Sequence, residues 1–100
     1  MKKNILYIED NPENMVLVKR VLNSHGYSMF EATNGMEGLS IAETQDVDLI
    51  LLDINLPDID GYEVARRLRK SRNPKLVYVP IIAITANALG RCRQGAQCGV

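Results

Sequence analysis

The chain has 100 residues, 46% of them hydrophobic and 24% charged, and a formal net charge of zero. That length suits one domain near the lower end of what buries its own core, and the composition is too apolar for a disordered chain. No window approaches the ~18 uninterrupted apolar residues of a membrane span, and the opening MKKNILYIEDNPEN has too short an apolar stretch for a secretory signal. A cytoplasmic setting with no membrane partner is therefore the expectation.

Cys92 and Cys98, with a single distant His25, do not make a zinc constellation, and reduced thiols are expected. All twelve acids fall at or before Glu63, whereas Val64 onward carries eight basic residues and no acid. Arg66, Arg67, Arg69, Lys70 and Arg72 read best as cations at the end of one helix, where they complement its dipole. A nucleic-acid face would need interleaved aromatics that this segment lacks, so no nucleic-acid partner is expected.

Four aliphatic segments alternate with segments of helical period. NILYI (4–8) is a strand ending at Glu9-Asp10. PENMVLVKRVLNSHG follows as a helix: Met15, Val18 and Leu22 share one face with Leu17 and Val21 beside them, Pro12 suits the first turn and Gly26 the stop. YSMFEA (27–32) alternates like a half-buried strand, and TNG turns into a short helix over 36–44. VDLILLD (47–53) is the most apolar run, as a central strand covered on both faces requires. A third helix is predicted over 61–71, burying Val64, Ala65 and Leu68. VYVPIIAIT (77–85) is the fourth strand, with Pro80 near its start, and ANALGRCRQGAQCGV begins as a weak helix that then stops.

Strands alternating with helices at this spacing imply right-handed βαβ units: an α/β doubly wound parallel sheet. In such sheets the site lies at the carboxyl ends of the strands. Those ends carry Glu9 and Asp10, then Asp53, then Thr85. Three carboxylates brought together repel unless a cation or a shared proton relieves them. An all-oxygen ligand set suits magnesium better than zinc or copper, and bound magnesium in turn invites phosphate. Asp53 could then act as nucleophile and form an aspartyl-phosphate, with the Thr85 hydroxyl directed at a phosphoryl oxygen. Singly, each residue has a plainer reading, as a turn former, a helix cap or an ordinary strand threonine. Asp60 and Glu63 fit a D-x-x-E capping box in which Glu63 reaches back to the cap N–H, and Asp58 after Pro57 fits a turn.

The segments ILYIEDNPENM, DLILLDINLPDIDGYEVARRLR and VPIIAITANAL together resemble the receiver domain of two-component response regulators, of the stand-alone or hybrid-kinase type. The resemblance spans residues 4 to about 90. It implies a flavodoxin-like sheet and a phosphoprotein of a signal-transduction phosphorelay. Asp53 would accept a phosphoryl group from a histidine kinase or phosphotransfer protein. Glu9, Asp10 and Asp53, with the backbone carbonyl of Asn55, would hold Mg2+, and Thr85 would move toward the phosphoryl group. The resemblance also implies a phosphate-contacting lysine on a fifth strand followed by a fifth helix, and no residue of this chain takes those roles. The expectation is thus one receiver-like domain over residues 1–100, C-terminally incomplete, with strand order 2-1-3-4. Its phosphorylation would be impaired, and its strand-four edge open to homodimer formation.

Two other readings stay open. One is an interaction module whose acid site is degenerate. The other is an enzyme, a magnesium phosphohydrolase with an aspartyl nucleophile. The chain carries Asn55 where such enzymes place a second aspartate, so a non-enzymatic role is expected.

Overall fold

The alternation of apolar strands and capped helices carries through to a single parallel sheet in the computed structural model, which describes residues 3–84. The elements are β1 (Asn4–Ile8), α1 (Pro12–Ser24), β2 (Ser28–Ala32), α2 (Gly35–Thr44), β3 (Leu49–Asp53), α3 (Gly61–Arg69), α4 (Pro74–Tyr78) and β4 (Ile81–Ile84). The strands stand in the order β2-β1-β3-β4, all neighbours parallel. Among the described residues no helix is long and apolar enough to cross a membrane.

Strand parity assigns the two faces. Leu6, Ile8, Ile50 and Leu52 join Ala42 of α2 and Val64 and Leu68 of α3 in the main hydrophobic cluster, completed by Leu76 and Val79. Successive strand residues point to opposite faces, so Ile5 and Tyr7 look the other way, where Ile5, Leu49 and Leu51 border a groove with Leu22 of α1. Helices thus cover both faces, as the doubly wound reading requires. On α1, Met15 is buried, but Leu17 and Val21 are 62% and 50% exposed. They lie too far round the helix from Met15 to reach the sheet, against the expectation that they would flank the buried face.

The fourth strand is the main departure from the sequence reading. Residues 77–85 were expected to be one strand, yet Pro74–Tyr78 is a short helix and the strand starts only at Ile81. Asn73 caps that helix through Lys75 N–H at 3.0 Å, and Pro74 takes the first helical position. These start signals override the strand propensity of Val77 and Tyr78. Val79 must be extended because Pro80 follows it, with ψ at 135°. Arg69 then closes the far end: its Nη1 donates to the carbonyls of Leu76, Val77 and Val79 at 3.1, 3.0 and 2.7 Å. That supplies a donor to carbonyls a helix end would otherwise leave open. The third helix ends at Arg69 with Lys70 as its cap, and Arg66, Arg67 and Arg69 occupy its last turn. The cationic run is a helix end, as expected.

The β3–α3 connection is held from both sides. Asp58, expected only to shape a turn, instead accepts N–H donors from Gly35 and Met36 of α2, both at 2.8 Å. Those bonds hold its carboxyl below the usual range, although partial desolvation acts in the opposite sense. Asp60 caps α3 through Glu63 N–H at 2.8 Å. Glu63 does not complete the expected box. Its carboxylate pairs with Arg67 at 2.9 Å and with Arg66, because charge-assisted bonds one turn away outweigh a bond to a neutral cap N–H. Gly61 sits so close to the chain behind it that a Cβ there would lie 2.7 Å from Ile54 Cα and 2.8 Å from the Asp53 carbonyl oxygen. Those are backbone atoms and cannot rotate aside. Gly61→Ala is therefore expected to destabilise the fold by about 1–3 kcal/mol, seen as a lower urea midpoint at unchanged slope.

Candidate metal centre

The parallel register builds the site. Ile8 of β1 stands opposite Leu52 of β3, so the next residues, Glu9 and Asp53, leave neighbouring strands at the same level and on the same face. Paired strands lie ~4.8 Å apart, which sets the two side chains next to each other. Asp10 follows at the rim, and carboxylate oxygens of Glu9, Asp10 and Asp53 all lie within 4.8 Å of one another. Glu9 and Asp53 are only 4% and 5% exposed, whereas Asp10 is open to solvent. Asn11 and Asn14 of the α1 start and Asn55 of the β3–α3 loop line the same cleft. The structure therefore brings Glu9, Asp10, Asp53 and Asn55 together. Thr85 lies outside the described residues, one position beyond Ile84, which pairs with Asp53.

Local bonds fix the two buried acids. Asp53 accepts the N–H of Asn55 at 3.0 Å. Glu9 Oε2 accepts the N–H of Asn11 at 3.1 Å, while its Oε1 accepts the Tyr7 hydroxyl at 3.1 Å and Asn14 Nδ2 at 3.5 Å. Asn11 itself caps α1 through Glu13 N–H at 2.8 Å. Tyr7 and Asn14 were not picked out from sequence as site residues. The signal for Tyr7 was present, since it lies two positions before Glu9 on a strand and so shares its face.

The electrostatics of the cluster are those that a cation would relieve. No salt bridge among the described residues involves Glu9, Asp10 or Asp53. Burial pushes the Asp53 carboxyl up to about 6; the Asn55 N–H opposes this, and the Glu9 carboxylate, with Asp10 more weakly, adds to it. Burial, then the charge of Glu9, also pushes the Tyr7 hydroxyl up, so it stays a protonated donor. Three crowded oxygen donors, one of them facing open water, fit a hard divalent cation that keeps part of its hydration shell.

A parallel sheet wound on both faces, with an acidic cleft at the carboxyl ends of its central strands, defines the class as an α/β domain of flavodoxin-like type. Within that class the response regulator receiver domain model matches residues 5–99, and the chain belongs to that family, the signalling domains of two-component systems. It is 40% identical over 100 residues to the sensor protein EvgS of Escherichia coli O157:H7, covering 99% of this chain but only 8% of the length of that protein. Against the polar-differentiation response regulator DivK of Brucella anthropi it is 38% identical over 99 residues, covering 95% of this chain and 79% of the relative. Among solved structures, the receiver domain of sensor histidine kinase PA1611 from Pseudomonas aeruginosa PAO1 superposes with a TM-score of 0.81 at 41% identity. The match covers 90% of this chain and 72% of that one, and that structure has a magnesium ion coordinated in its active-site cleft.

The raised Asp53 carboxyl has a defined stability signature. The folded state retains this proton up to about pH 6, whereas an ordinary aspartate loses it near 3.8. Below both values Asp53 has no effect. Between them the unfolded chain has already ionised, so stability falls as pH rises, and the full penalty is present above about 6. Discounted for the open side of the cleft, it amounts to about 1–2 kcal/mol. In metal-free buffer Asp53→Asn should therefore be more stable than the parent by that amount near pH ~7.5, with the gap closing by pH ~4 in urea titrations.

Proposed function

We propose that the chain is a phosphoacceptor module of a two-component phosphorelay that receives a phosphoryl group on Asp53. The observation that carries this reading is the pairing of a buried Asp53 at the end of the central strand with Glu9 and Asp10 at the end of its neighbour. Glu9, Asp10 and Asp53, with the carbonyl of Asn55, would hold Mg2+. When bound, the ion neutralises the cluster and offsets charge on phosphoryl oxygens.

The chain's own residues account for the rest. An oxygen of ionised Asp53 attacks the phosphorus of a phosphohistidine, the phosphorus–nitrogen bond breaks, and the departing imidazole keeps the electron pair and takes up a proton. Asp53 is left as an acyl phosphate. The Asn55 N–H, already given to one Asp53 oxygen, steers the other toward the cleft. Thr85 would follow the phosphoryl group and signal its presence. The donor would be a histidine kinase or phosphotransfer protein of the cytoplasm. The relatives that carry this domain in a sensor protein and a sensor histidine kinase support that choice.

Incubation with acetyl phosphate and Mg2+ should add one phosphoryl group by intact-mass spectrometry. Chelation should cut the rate by about tenfold or more, and Asp53→Asn should abolish the adduct. An adduct that persists in Asp53→Asn would overturn the assignment. Mg2+ binding with no adduct at all would favour the interaction-module reading.

A further inference from the structure

Glu9 differs from its two partners in the cluster. Asp10 is exposed and Asp53 takes one backbone N–H, but the Glu9 carboxylate is held by three donors from three positions. The Asn11 N–H occupies Oε2, and Asn14 reaches Oε1 only at 3.5 Å. The short bond to Oε1 comes from Tyr7, at 3.1 Å. Tyr7 is fully buried in β1, and β1 is paired on both sides, with β2 and with β3. Its ring therefore has no room to follow a moving partner. Of the side chains that grip Glu9, this is the one tied to the rigid centre of the sheet rather than to a helix start.

We propose that Tyr7 is a positioning residue of the metal centre: its hydroxyl fixes the rotation of the Glu9 carboxylate, and with it the oxygen that Glu9 turns toward the cation. The inference rests on the metal reading given above. A plainer alternative is that Glu9 serves Tyr7, satisfying a buried hydroxyl that needs an acceptor. The two differ in what the bond does for the cation. If it orients Glu9, its loss weakens binding, because partners behind a ligating carboxylate typically contribute about 10–100-fold to metal affinity. If it only satisfies Tyr7, removing the hydroxyl removes the need for it and leaves affinity unchanged.

Tyr7→Phe keeps the ring and deletes only the hydroxyl. Calorimetric titration with MgCl2 should show affinity about tenfold weaker than in the parent chain. In a Glu9→Gln background the same change should cost less than about twofold, because the group being positioned is gone. A second measurement needs no folded variant: with 13C-labelled tyrosine, the Cζ resonance of Tyr7 in the unaltered chain should shift as MgCl2 saturates the site. Equal affinity in Tyr7→Phe, an undiminished effect in the Glu9→Gln background, or a Tyr7 resonance indifferent to bound Mg2+ would each overturn the proposal while leaving the metal reading standing. A parent chain that binds no Mg2+ would overturn both.

Discussion

Two carboxylates forced side by side at the ends of adjacent parallel strands are the constraint on which the rest of this molecule turns. Nothing in the backbone pairing of β1 and β3 asks for a carboxylate at either position. The register places Glu9 beside Asp53, and burial deprives both of water. Repulsion at that distance is costly unless a proton or a cation intervenes. Burial, with the neighbouring Glu9 charge adding to it, holds the Asp53 carboxyl above its ordinary value. A site that resists ionisation alone is one whose charges a divalent ion would offset.

The surroundings keep that tension from dissipating through movement. The loop after Asp53 is locked to α2 by Asp58, to α3 by Asp60, and to its own start by the Gly61 N–H donated to the Ile54 carbonyl at 2.8 Å. A Cβ on Gly35 would lie 2.5 Å from an Ile59 side-chain carbon, so α2 closes on the loop without a side chain between them. On the β1 side Tyr7, Asn11 and Asn14 do the same for Glu9. Glu9 and Asp53 are thus held by hydrogen bonds that orient them without cancelling their charge. That separation between orienting a group and neutralising it is what preorganises a cation site.

How much of this was legible in the sequence follows the range of the interactions. Strand β1 matched its expected span, and β3 was short of its expected start by only two residues, because apolar runs bounded by acids depend on local pattern. The meeting of Glu9, Asp10 and Asp53 was legible too, since topology alone puts strand ends together. Asp58 was not: its partners lie 22 and 23 residues back on another helix, and sequence read only the turn chemistry of Pro57-Asp58. The α4 helix was hidden by the β-branched residues of VYVPII, which outweighed the Asn73-Pro74 cap in a reading based on propensity. Helix capping there depends on Arg69, ten residues before the Val79 carbonyl it reaches. Tyr7 read as one more apolar strand residue because its hydroxyl acquires meaning only once Glu9 is known to share its face.

Net charge says nothing about any of this, but the allocation of charge does. Asp58 and Asp60 are spent on helix N–H groups, Glu63 on two arginines, Glu31 on Lys19, and Asp46 and Asp48 on Lys75. Glu37 accepts the N–H and hydroxyl of Thr33, and Glu43 accepts the hydroxyl of Ser71. Against that background the strand-end acids stand apart: among the described residues no lysine or arginine pairs with them, and their carboxylate oxygens crowd one another. Evenly mixed charges tend to find opposite partners because each such pairing lowers the energy slightly. Glu9 and Asp53, which make no such pairing among the described residues, are buried side by side by the strand register. A cation from solution would relieve that crowding, and the strand register is therefore as much a determinant of the site as the identity of Asp53.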